Sequence, residues 1–236
     1  MNIAVPSWVI PGTYVENLGL LAAQEAINTV ELLFFIYDEE TRSLLNSEWD
    51  RIGDFSERFH FTAHLPDKLQ EGHEELVERL NPLVDHFIIH PPIAEKAEKS
   101  ASLLSSWIDR YDQDRKQRFL LENIHPGRLE ALLPLLPEAG ICLDTGHLLL
   151  QEGSPSAFFA QGGSRIGEIH LHGLDTSAAA RDGRLADHRS LQEDMNWLHD
   201  FLPQLGSFAG VINLEVFSWA EAERSIQTLK NLGVLP

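Results

Sequence analysis

Short apolar runs alternate with longer amphipathic stretches along the 236 residues of the chain. The short runs are rich in Val, Ile, Leu and Phe, and several are apolar almost throughout, as in strands that are covered on both faces. The pattern predicts eight strands, at residues 3–10, 30–37, 59–65, 86–90, 119–124, 140–144, 166–172 and 211–217. It predicts helices between them at residues 18–28, 71–84, 94–111, 190–205 and 219–232, and the acidic run at 38–40 indicates a further helix start.

Strands that alternate with helices predict an α/β fold with a parallel sheet, and eight such units predict a single closed (β/α)8 TIM barrel over residues 1–236. The alternative is an open doubly wound sheet, which would have a glycine-rich turn after its first strand. The sequence there is Pro11-Gly12-Thr13-Tyr14, so the dinucleotide fingerprint is missing. The longest irregular stretch, residues 173–187, is a candidate lid over the barrel mouth.

The charge balance narrows the classes of partner. The chain has 18 Lys and Arg against 36 Asp and Glu, which gives a net charge of −18. Binding to duplex DNA normally requires a cationic face, so this charge argues against nucleic acid as a partner. Apolar residues make up 43% of the chain, which is enough for one packed core.

The single cysteine, Cys142, excludes a disulfide framework and favours the reducing cytoplasm. No apolar run reaches the length of about 18 residues that a membrane span needs. The N-terminus has no basic segment followed by an apolar stretch, so no signal peptide is expected. We therefore expect a cytoplasmic protein without a membrane partner, and its oligomeric state stays open.

Ionisable side chains stand at the ends of six consecutive predicted strands. Active sites of (β/α)8 barrels lie at the carboxyl ends of the strands, so we expect these side chains to converge. They are His64, His90, Glu122, Asp144 with His147, His170 with His172, and Glu215, and the loop after the seventh strand adds Asp187 and His188. Burying so many unpaired groups would be costly, and a divalent cation removes that cost. Imidazole with carboxylate is a ligand set for zinc, manganese, iron or cobalt, of which we expect zinc.

Two side chains of the seventh strand compete for one role. His170 and His172 are two residues apart, so both can point at the site, and one of them can be an orienting partner rather than a ligand. Cys142 shares a face with Asp144, and we expect it to be a buried apolar thiol, although the spacing also allows a ligand role.

Four segments carry a family resemblance: Leu143-Asp144-Thr145-Gly146-His147, Leu121-Glu122-Asn123, Ile169-His170-Leu171 and Leu214-Glu215. Through them the whole chain resembles the xylose-isomerase-like barrels, also called the apurinic endonuclease family 2 superfamily. Its sugar isomerases and epimerases hold one metal with Glu, Asp, His and Glu from the last four strands. Its endonuclease-IV-like phosphoesterases hold three zinc ions and add two histidines from earlier strands and a group from the loop after strand seven.

The resemblance implies a metal role for each matching position. The four shared ligands match Glu122, Asp144, His170 and Glu215. The additional ligands of the phosphoesterases match His64 and His90 for a first metal, and His147 and His188 for a third. One position departs from the pattern, because the endonucleases have an Asp two residues before the last histidine. Here Ala186 takes that place, and Asp187 directly precedes His188.

Further motifs resemble the cobamide-remodelling phosphodiesterases, which hydrolyse the nucleotide loop of corrinoid cofactors. These motifs are Pro11-Gly12-Thr13-Tyr14-x-Glu16-Asn17, His90-Pro-Pro, His170-Leu-His172-Gly173, Asp187-His188-x-Ser190-Leu191 and Leu214-Glu215-Val216-Phe217-Ser218. The resemblance implies a hydrolase for a small-molecule phosphodiester, a cobamide being the leading candidate, with one to three divalent ions. Glu122 and Glu215 would be catalytic, and we expect Tyr14 and Trp219 to contact the substrate.

Two other functions stay open. The first is a one-metal sugar or sugar-phosphate isomerase or epimerase, in which Glu122 and Glu215 would move a proton at a carbon next to a carbonyl. The second is a non-catalytic module that binds a metal or a corrinoid. Metal content and turnover distinguish the three hypotheses.

Overall fold

A closed barrel of eight parallel strands forms the centre of the molecule. The computed structural model describes residues 1–92, 96–114, 116–125, 127–175 and 186–236. The barrel strands are β1 (Asn2–Pro6), β2 (Thr29–Leu33), β3 (His60–His64), β4 (His86–Ile89), β5 (Phe119–Glu122), β6 (Gly140–Asp144), β7 (Ile166–His170) and β10 (Val211–Asn213). Each strand pairs with the next along the chain, and β10 pairs with both β7 and β1 to close the barrel. The predicted (β/α)8 fold is confirmed.

The helices surround the barrel. They are α1 (Tyr14–Ala22), α2 (Glu39–Asp54), α3 (Glu74–Leu80), α4 (Ala97–Tyr111), α5 (Arg128–Leu132), α6 (Thr145–Leu150), α7 (Pro155–Gly162), α8 (Asn196–Ser207) and α9 (Trp219–Asn231). Asp38 caps α2 by accepting the backbone N–H of Thr41, which confirms the helix start predicted from the acidic run. Among the described residues, no helix combines the length and apolarity needed to cross a bilayer.

Helix α1 begins four residues earlier than the apolar pattern predicts. The cause is a capping box, in which the Thr13 side chain accepts from the Glu16 backbone N–H and the Glu16 carboxylate accepts from the Thr13 N–H. The first residues of the helix, Tyr14 and Val15, are buried with Leu18 and Leu21 on its inner face.

Several strands are shorter at their carboxyl ends than predicted, by four residues in β1, β2 and β10. Residues beyond the hydrogen-bonded ladder are still buried at the barrel mouth, as Phe34, Leu171 and Val216 show. The apolar run therefore continues past the end of the strand, and the pattern alone does not mark where strand pairing stops.

The segment predicted as an irregular loop, 173–187, is partly regular. β8 (Gly173–Asp175) and β9 (Ala186–Arg189) form an antiparallel pair at its base. Residues 176–185 lie outside the described residues, so the lid stays a prediction.

Side chains alternate along the strands between two environments. In β2, Val30 and Leu32 belong to the apolar core, whereas Glu31 between them joins buried polar groups of other strands. Thr62 of β3 and Glu168 of β7 likewise meet across the barrel, with a hydrogen bond of 3.2 Å. The barrel interior is therefore unusually polar, and buried polar groups of this kind need partners.

Candidate metal centre at the barrel mouth

The structure brings the predicted strand-end side chains together at the carboxyl ends of the barrel strands. Four groups of ligand atoms lie close enough to hold a cation: His64, Asp67 and His90; Glu122, Asp144 and His170; Glu31, His170 and Glu215; and His172, His188 and Glu215. Seven of these ten side chains are buried, whereas His90 and His188 are half-buried and Asp67 is exposed. The groups lie against one another and several share members, so they form one continuous cluster.

Glu122, at the end of β5, receives two imidazoles on one carboxylate oxygen. His64 Nε2 lies 3.2 Å from Glu122 Oε2, and His90 Nε2 lies 3.1 Å from the same oxygen. The other oxygen, Oε1, lies 3.7 Å from His147 Nε2. The two oxygens of Glu122 thus face different histidines.

The second nitrogen of each of these imidazoles decides what Nε2 can do. His64 Nδ1 lies 2.9 Å from the carbonyl oxygen of Leu65, and His90 Nδ1 lies 3.1 Å from Asp67 Oδ1. Both partners accept hydrogen bonds, so Nδ1 carries the proton in each neutral ring. Nε2 then presents a lone pair toward an anionic oxygen, which is unfavourable without a proton or a cation between them. Metal-bound histidines characteristically donate their other N–H to a carbonyl or carboxylate in this way.

The same charges perturb pKa values in the metal-free cluster. Burial alone would lower the pKa of His90, but the charges of Glu122 and Asp67 raise it to about 10. Burial alone would raise the pKa of Glu122, but the neighbouring imidazoles, above all His90, hold it well below its usual value. Without a metal, the cluster therefore keeps a proton on His90 and a charge on Glu122.

Two buried polar atoms at the centre of the cluster have no hydrogen-bond partner among the described residues: His170 Nδ1 and Glu215 Oε2. They lie 3.2 Å apart, and Asp144 Oδ2 lies 4.0 Å from the same nitrogen. Ligand atoms around a tetrahedral zinc, at about 2.0–2.1 Å from the ion, lie roughly 3.3 Å apart. A nitrogen and carboxylate oxygens at this spacing could hold a divalent cation.

Glu31 of β2 orients the His170 ring from the other side. His170 Nε2 lies 3.0 Å from Glu31 Oε2, and Glu31 Oε1 accepts from Asn213 Nδ2 at 2.8 Å. Burial raises the pKa of Glu31, although the charge of His170 opposes that shift. In the neutral His170 ring, donation of Nε2–H to Glu31 would direct the lone pair of Nδ1 toward Asp144 and Glu215. Burial alone would lower the pKa of His170, but Cys142, Glu215 and Glu31 raise it well above its usual value in the metal-free cluster.

Glu31 is a site residue that the strand-end pattern does not predict. Its signal is nevertheless present, because Glu31 is a carboxylate in the middle of the apolar run 30–34. A buried charge in such a run needs a partner. Glu31 lies near the start of a predicted strand, whereas the expected site residues all follow the strand ends.

Asp144 holds two different partners at the end of β6. Its Oδ1 caps helix α6 by accepting the His147 backbone N–H at 2.6 Å, and its Oδ2 lies 3.0 Å from His172 Nε2. The Asn123 side chain holds the Asp144 backbone: its Nδ2 donates to the Asp144 carbonyl, and its Oδ1 accepts from the Asp144 N–H. The helix cap three residues before His147 thus explains the spacing in Asp144-Thr145-Gly146-His147.

His172 differs from His170 in its hydrogen bonding. The backbone N–H of His188 donates to His172 Nδ1 at 3.0 Å, so in the neutral ring the proton is on Nε2, facing Asp144. Burial would lower the pKa of His172, but Asp144 raises it to about 9. In this structure His172 orients Asp144, and the unpartnered nitrogen belongs to His170.

The residues expected for a third metal are less closely gathered. The His188 ring stacks on His172 at 4.3 Å between centroids and lies 6.0 Å from the His147 ring. Its Nδ1 lies 3.1 Å from the Glu215 carbonyl oxygen, which leaves Nε2 with Asp187 Oδ2 4.0 Å away. The third site therefore stays a prediction.

Three other sequence predictions concern single side chains. Tyr14 is buried, its hydroxyl donates to the Leu33 carbonyl at 2.9 Å, and it lines an apolar cavity beside the cluster. Trp219 packs partly buried against the core and is not among the described residues that line this cavity. Cys142 is buried in the barrel with Ile88 and Leu120, and burial raises its pKa well above the usual value, although its interaction with His170 opposes that shift.

Comparisons with known proteins place the fold. No protein-family model and no curated protein sequence matches the chain. The structure of the probable 3-DHS dehydratase AsbF of Bacillus anthracis, involved in petrobactin synthesis, is 15% identical, with a TM-score of 0.67 over 99% of both chains. A structure of L-ribulose 3-epimerase is 15% identical, with a TM-score of 0.65 over 99% of this chain and 95% of that one.

The E. coli 3-keto-D-glucoside 4-epimerase YcjR is 13% identical, with a TM-score of 0.59 over 99% of both chains. The shared fold is the (β/α)8 barrel. Identities this low establish the fold alone, and the fold agrees with the resemblance to the xylose-isomerase-like barrels.

Proposed function

We propose that the protein is a metal-dependent phosphodiesterase that acts on a small-molecule phosphodiester. One observation carries the proposal: His64 and His90 both direct Nε2 at Glu122, in addition to the ligand set of Glu122, Asp144, His170 and Glu215. A one-metal site uses the second set only. The first pair of imidazoles, each oriented through Nδ1, is not needed as metal ligands by such a site.

Two groups of residues would hold the metals. His64, His90 and Glu122 would hold the first, and Glu122, Asp144, His170 and Glu215 would hold the second. When bound, divalent cations supply positive charge that neutralises the phosphate oxygens and lowers the pKa of water. The mixed set of three imidazoles and three carboxylates is one that zinc accepts, and zinc is the proposed metal.

The residues of the chain supply position and charge. Glu122 would belong to both metal sites, and Glu215, whose carboxylate lies 3.2 Å from His170 Nδ1, would belong to the second. Asp67 and Glu31 fix the rings of His90 and His170. Because the carboxylates would otherwise repel an anionic phosphate, the substrate can enter only when the cations are in place.

The substrate proposal follows from charge and from the resemblance. The net charge of −18 disfavours DNA, since release of counterions by cationic side chains supplies most non-specific DNA affinity. The nucleotide loop of a cobamide is the leading candidate because of the motifs shared with the cobamide-remodelling phosphodiesterases. Abasic DNA is expected to be cleaved poorly.

A one-metal sugar isomerase or epimerase is the second candidate. The names of the three similar structures, two epimerases and a probable dehydratase, favour this candidate over a phosphodiesterase. In it Glu122 and Glu215 would act as a base and an acid on opposite sides of a sugar carbon. The contacts of Glu122 with His64 and His90 occupy Oε2, so only Oε1 would be open to act as a base.

Metal content and turnover of one variant test the proposal. Protein reconstituted with zinc is analysed for metal per chain, and hydrolysis of bis(4-nitrophenyl) phosphate and of a cobamide is measured. We expect at least two ions, and we expect His90→Asn to lose one ion and its phosphodiesterase activity. His60→Asn is the matched control, because His60 is an exposed histidine paired with Asp85.

The other outcomes identify the alternatives. One ion per chain that His90→Asn retains, together with epimerisation of a ketose, would establish the isomerase. Metal binding without turnover of either substrate class would establish the binding module.

A further inference from the structure

An apolar cavity of about 680 Å³ lies beside the metal cluster, between the loops that follow β1, β2 and β10. Its apolar and aromatic walls include Trp8, Tyr14, Phe35, Ile36 and Phe217. Only Tyr14 among these is predicted from the sequence to contact a substrate. The cavity is not part of the proposed metal chemistry, so its walls need a separate explanation.

Three of these wall residues expose apolar side-chain surface to solvent. Trp8 is 57% exposed, Ile36 is 70% exposed and Phe217 is 38% exposed. Leaving such side chains in water forfeits the stabilisation that their burial would give. Adjacent exposed apolar side chains commonly mark a binding site.

The Trp8 backbone is held in place although its side chain is not packed. On one side, Ser7 donates its N–H to the Glu31 carbonyl and accepts the Leu33 N–H on its hydroxyl. On the other side, the Val9 N–H donates to the Asn17 side chain at 2.8 Å. The fold therefore fixes the backbone from which the Trp8 indole extends at the cavity wall.

The cavity lies next to the metal cluster, and two of its wall residues, Phe35 and Phe217, contact histidines of the cluster. The Phe217 ring lies 4.9 Å from the His188 ring, and the Phe35 ring lies 4.6 Å from the His64 ring. Phe35 and Phe217 also meet edge to face at 6.1 Å. A molecule with its phosphate at the cluster would therefore extend one of its arms directly along these rings.

The charged residues at the cavity determine which kind of ester arm it can accept. Asp38 and Glu40 line it, and the described residues around it include neither Lys nor Arg. Carboxylates at the rim disfavour a second anionic group such as another phosphate. Aromatic walls favour a flat ring, which stacks on them or packs against their edges.

We infer that this cavity is the subsite for an uncharged, planar, apolar ring in one ester arm of the substrate. The inference rests on the proposed function, since it is the metal cluster that would fix the phosphate. It adds that the substrate is an asymmetric phosphodiester, with a ring on the cavity side and no charge there. A nucleotide chain, with a phosphate on each side of every nucleoside, does not meet that condition.

The first test measures ring binding without chemistry. In the metal-free, ¹⁵N-labelled protein, the indole signal of Trp8 is assigned by its absence in Trp8→Phe, and anisole and benzoate are titrated separately. Anisole is expected to shift this signal in a saturable way, and benzoate to bind about tenfold more weakly because of Asp38 and Glu40. Ile36→Asn is expected to weaken anisole binding, whereas Leu135→Asn is not. Leu135 is the matched control because it is 44% exposed and lies outside the cavity walls.

The second test uses turnover of phenyl 4-nitrophenyl phosphate by the zinc-loaded protein. Ile36→Asn and Phe217→Ala are each expected to lower kcat/KM about tenfold, mainly through KM, because each removes part of an apolar wall. An unmoved Trp8 signal, or wild-type turnover by both variants, would overturn the inference. If the wild-type protein hydrolyses no phosphodiester, the proposed function fails, and the anisole titration alone decides whether the cavity binds a ring.

Discussion

Glu31→Gln tests whether the cluster is a metal site, since Glu31 orients the proposed ligand His170 and is not expected to bind the metal itself. The substitution keeps the shape of the side chain and removes its charge. Asn213 Oδ1 is buried without a hydrogen-bond partner among the described residues, so rotation of the Asn213 amide can satisfy the new NH₂ group. The remaining oxygen of the introduced amide then still accepts from His170 Nε2–H, and the variant isolates the loss of the charge.

The expected magnitude follows from the position of Glu31. A carboxylate behind a metal-bound imidazole raises its basicity, and removing such a partner typically lowers metal affinity about 10–100-fold. Because the hydrogen bond to His170 survives in Glu31→Gln, the lower end of this range applies. About tenfold corresponds to about 1.4 kcal/mol of binding free energy.

Zinc affinity is measured by competition with a chromophoric chelator, and thermal unfolding is followed in parallel. Glu168→Gln is the matched control, because Glu168 is an equally buried carboxylate of the barrel interior that contacts Thr62 and His86. Both variants are expected to change the stability of the metal-free protein, but only Glu31→Gln is expected to weaken zinc binding. An unchanged zinc affinity in Glu31→Gln, or an equal loss in both variants, would refute the assignment of His170 as a ligand.

Two further predictions concern packing and protons. Gly146→Ala is expected to lower the melting temperature and the metal content, because the added Cβ would overlap the His172 ring. Gly53→Ala is the control, because there is free space around Gly53 and neither quantity should change. Calorimetry and metal analysis check both variants. Zinc binding near neutral pH is expected to release a proton, because the pKa of His90 is raised to about 10 in the metal-free cluster. The affinity for zinc should therefore rise with pH up to that value. Titration calorimetry in buffers of different ionisation enthalpy should show that His90→Asn releases fewer protons on binding zinc than the wild type does. Equal proton release would contradict the prediction.

The sequence predicts the barrel well because its signal is repeated. Eight apolar runs each give a strand, and their carboxyl ends must meet at one face, so the approach of His64, His90 and Glu122 follows from topology alone. Helix α1 shows the limit of periodicity, since its start is fixed by the hydrogen bonds of Thr13 and Glu16, which an apolar pattern does not record.

Side-chain direction is the part that the sequence could not supply. His170 and His172 are two residues apart on one strand, so the sequence allows either side chain to point at the site. The backbone N–H of His188 at His172 Nδ1 separates their roles. The exposed walls of the cavity are likewise invisible in the pattern. Trp8, for example, lies within a run predicted to be a buried strand, whereas the ladder of β1 ends at Pro6.

Protons and cations are alternative means of stabilising the same cluster. The raised pKa of His90 contributes stability to the metal-free protein below about pH 6.5, its unfolded value, and that contribution is lost as pH rises through about 10. The lowered pKa of Glu122 acts in the opposite direction, with stability present above its unfolded pKa and lost as pH falls through the folded value. A bound cation replaces the proton between Glu122 and His90, so the stabilisation by metal should increase with pH where that by the proton decreases. A cluster built only as a salt bridge would lose the stabilisation by the proton as pH rises. It would show no stabilisation by metal that increases with pH.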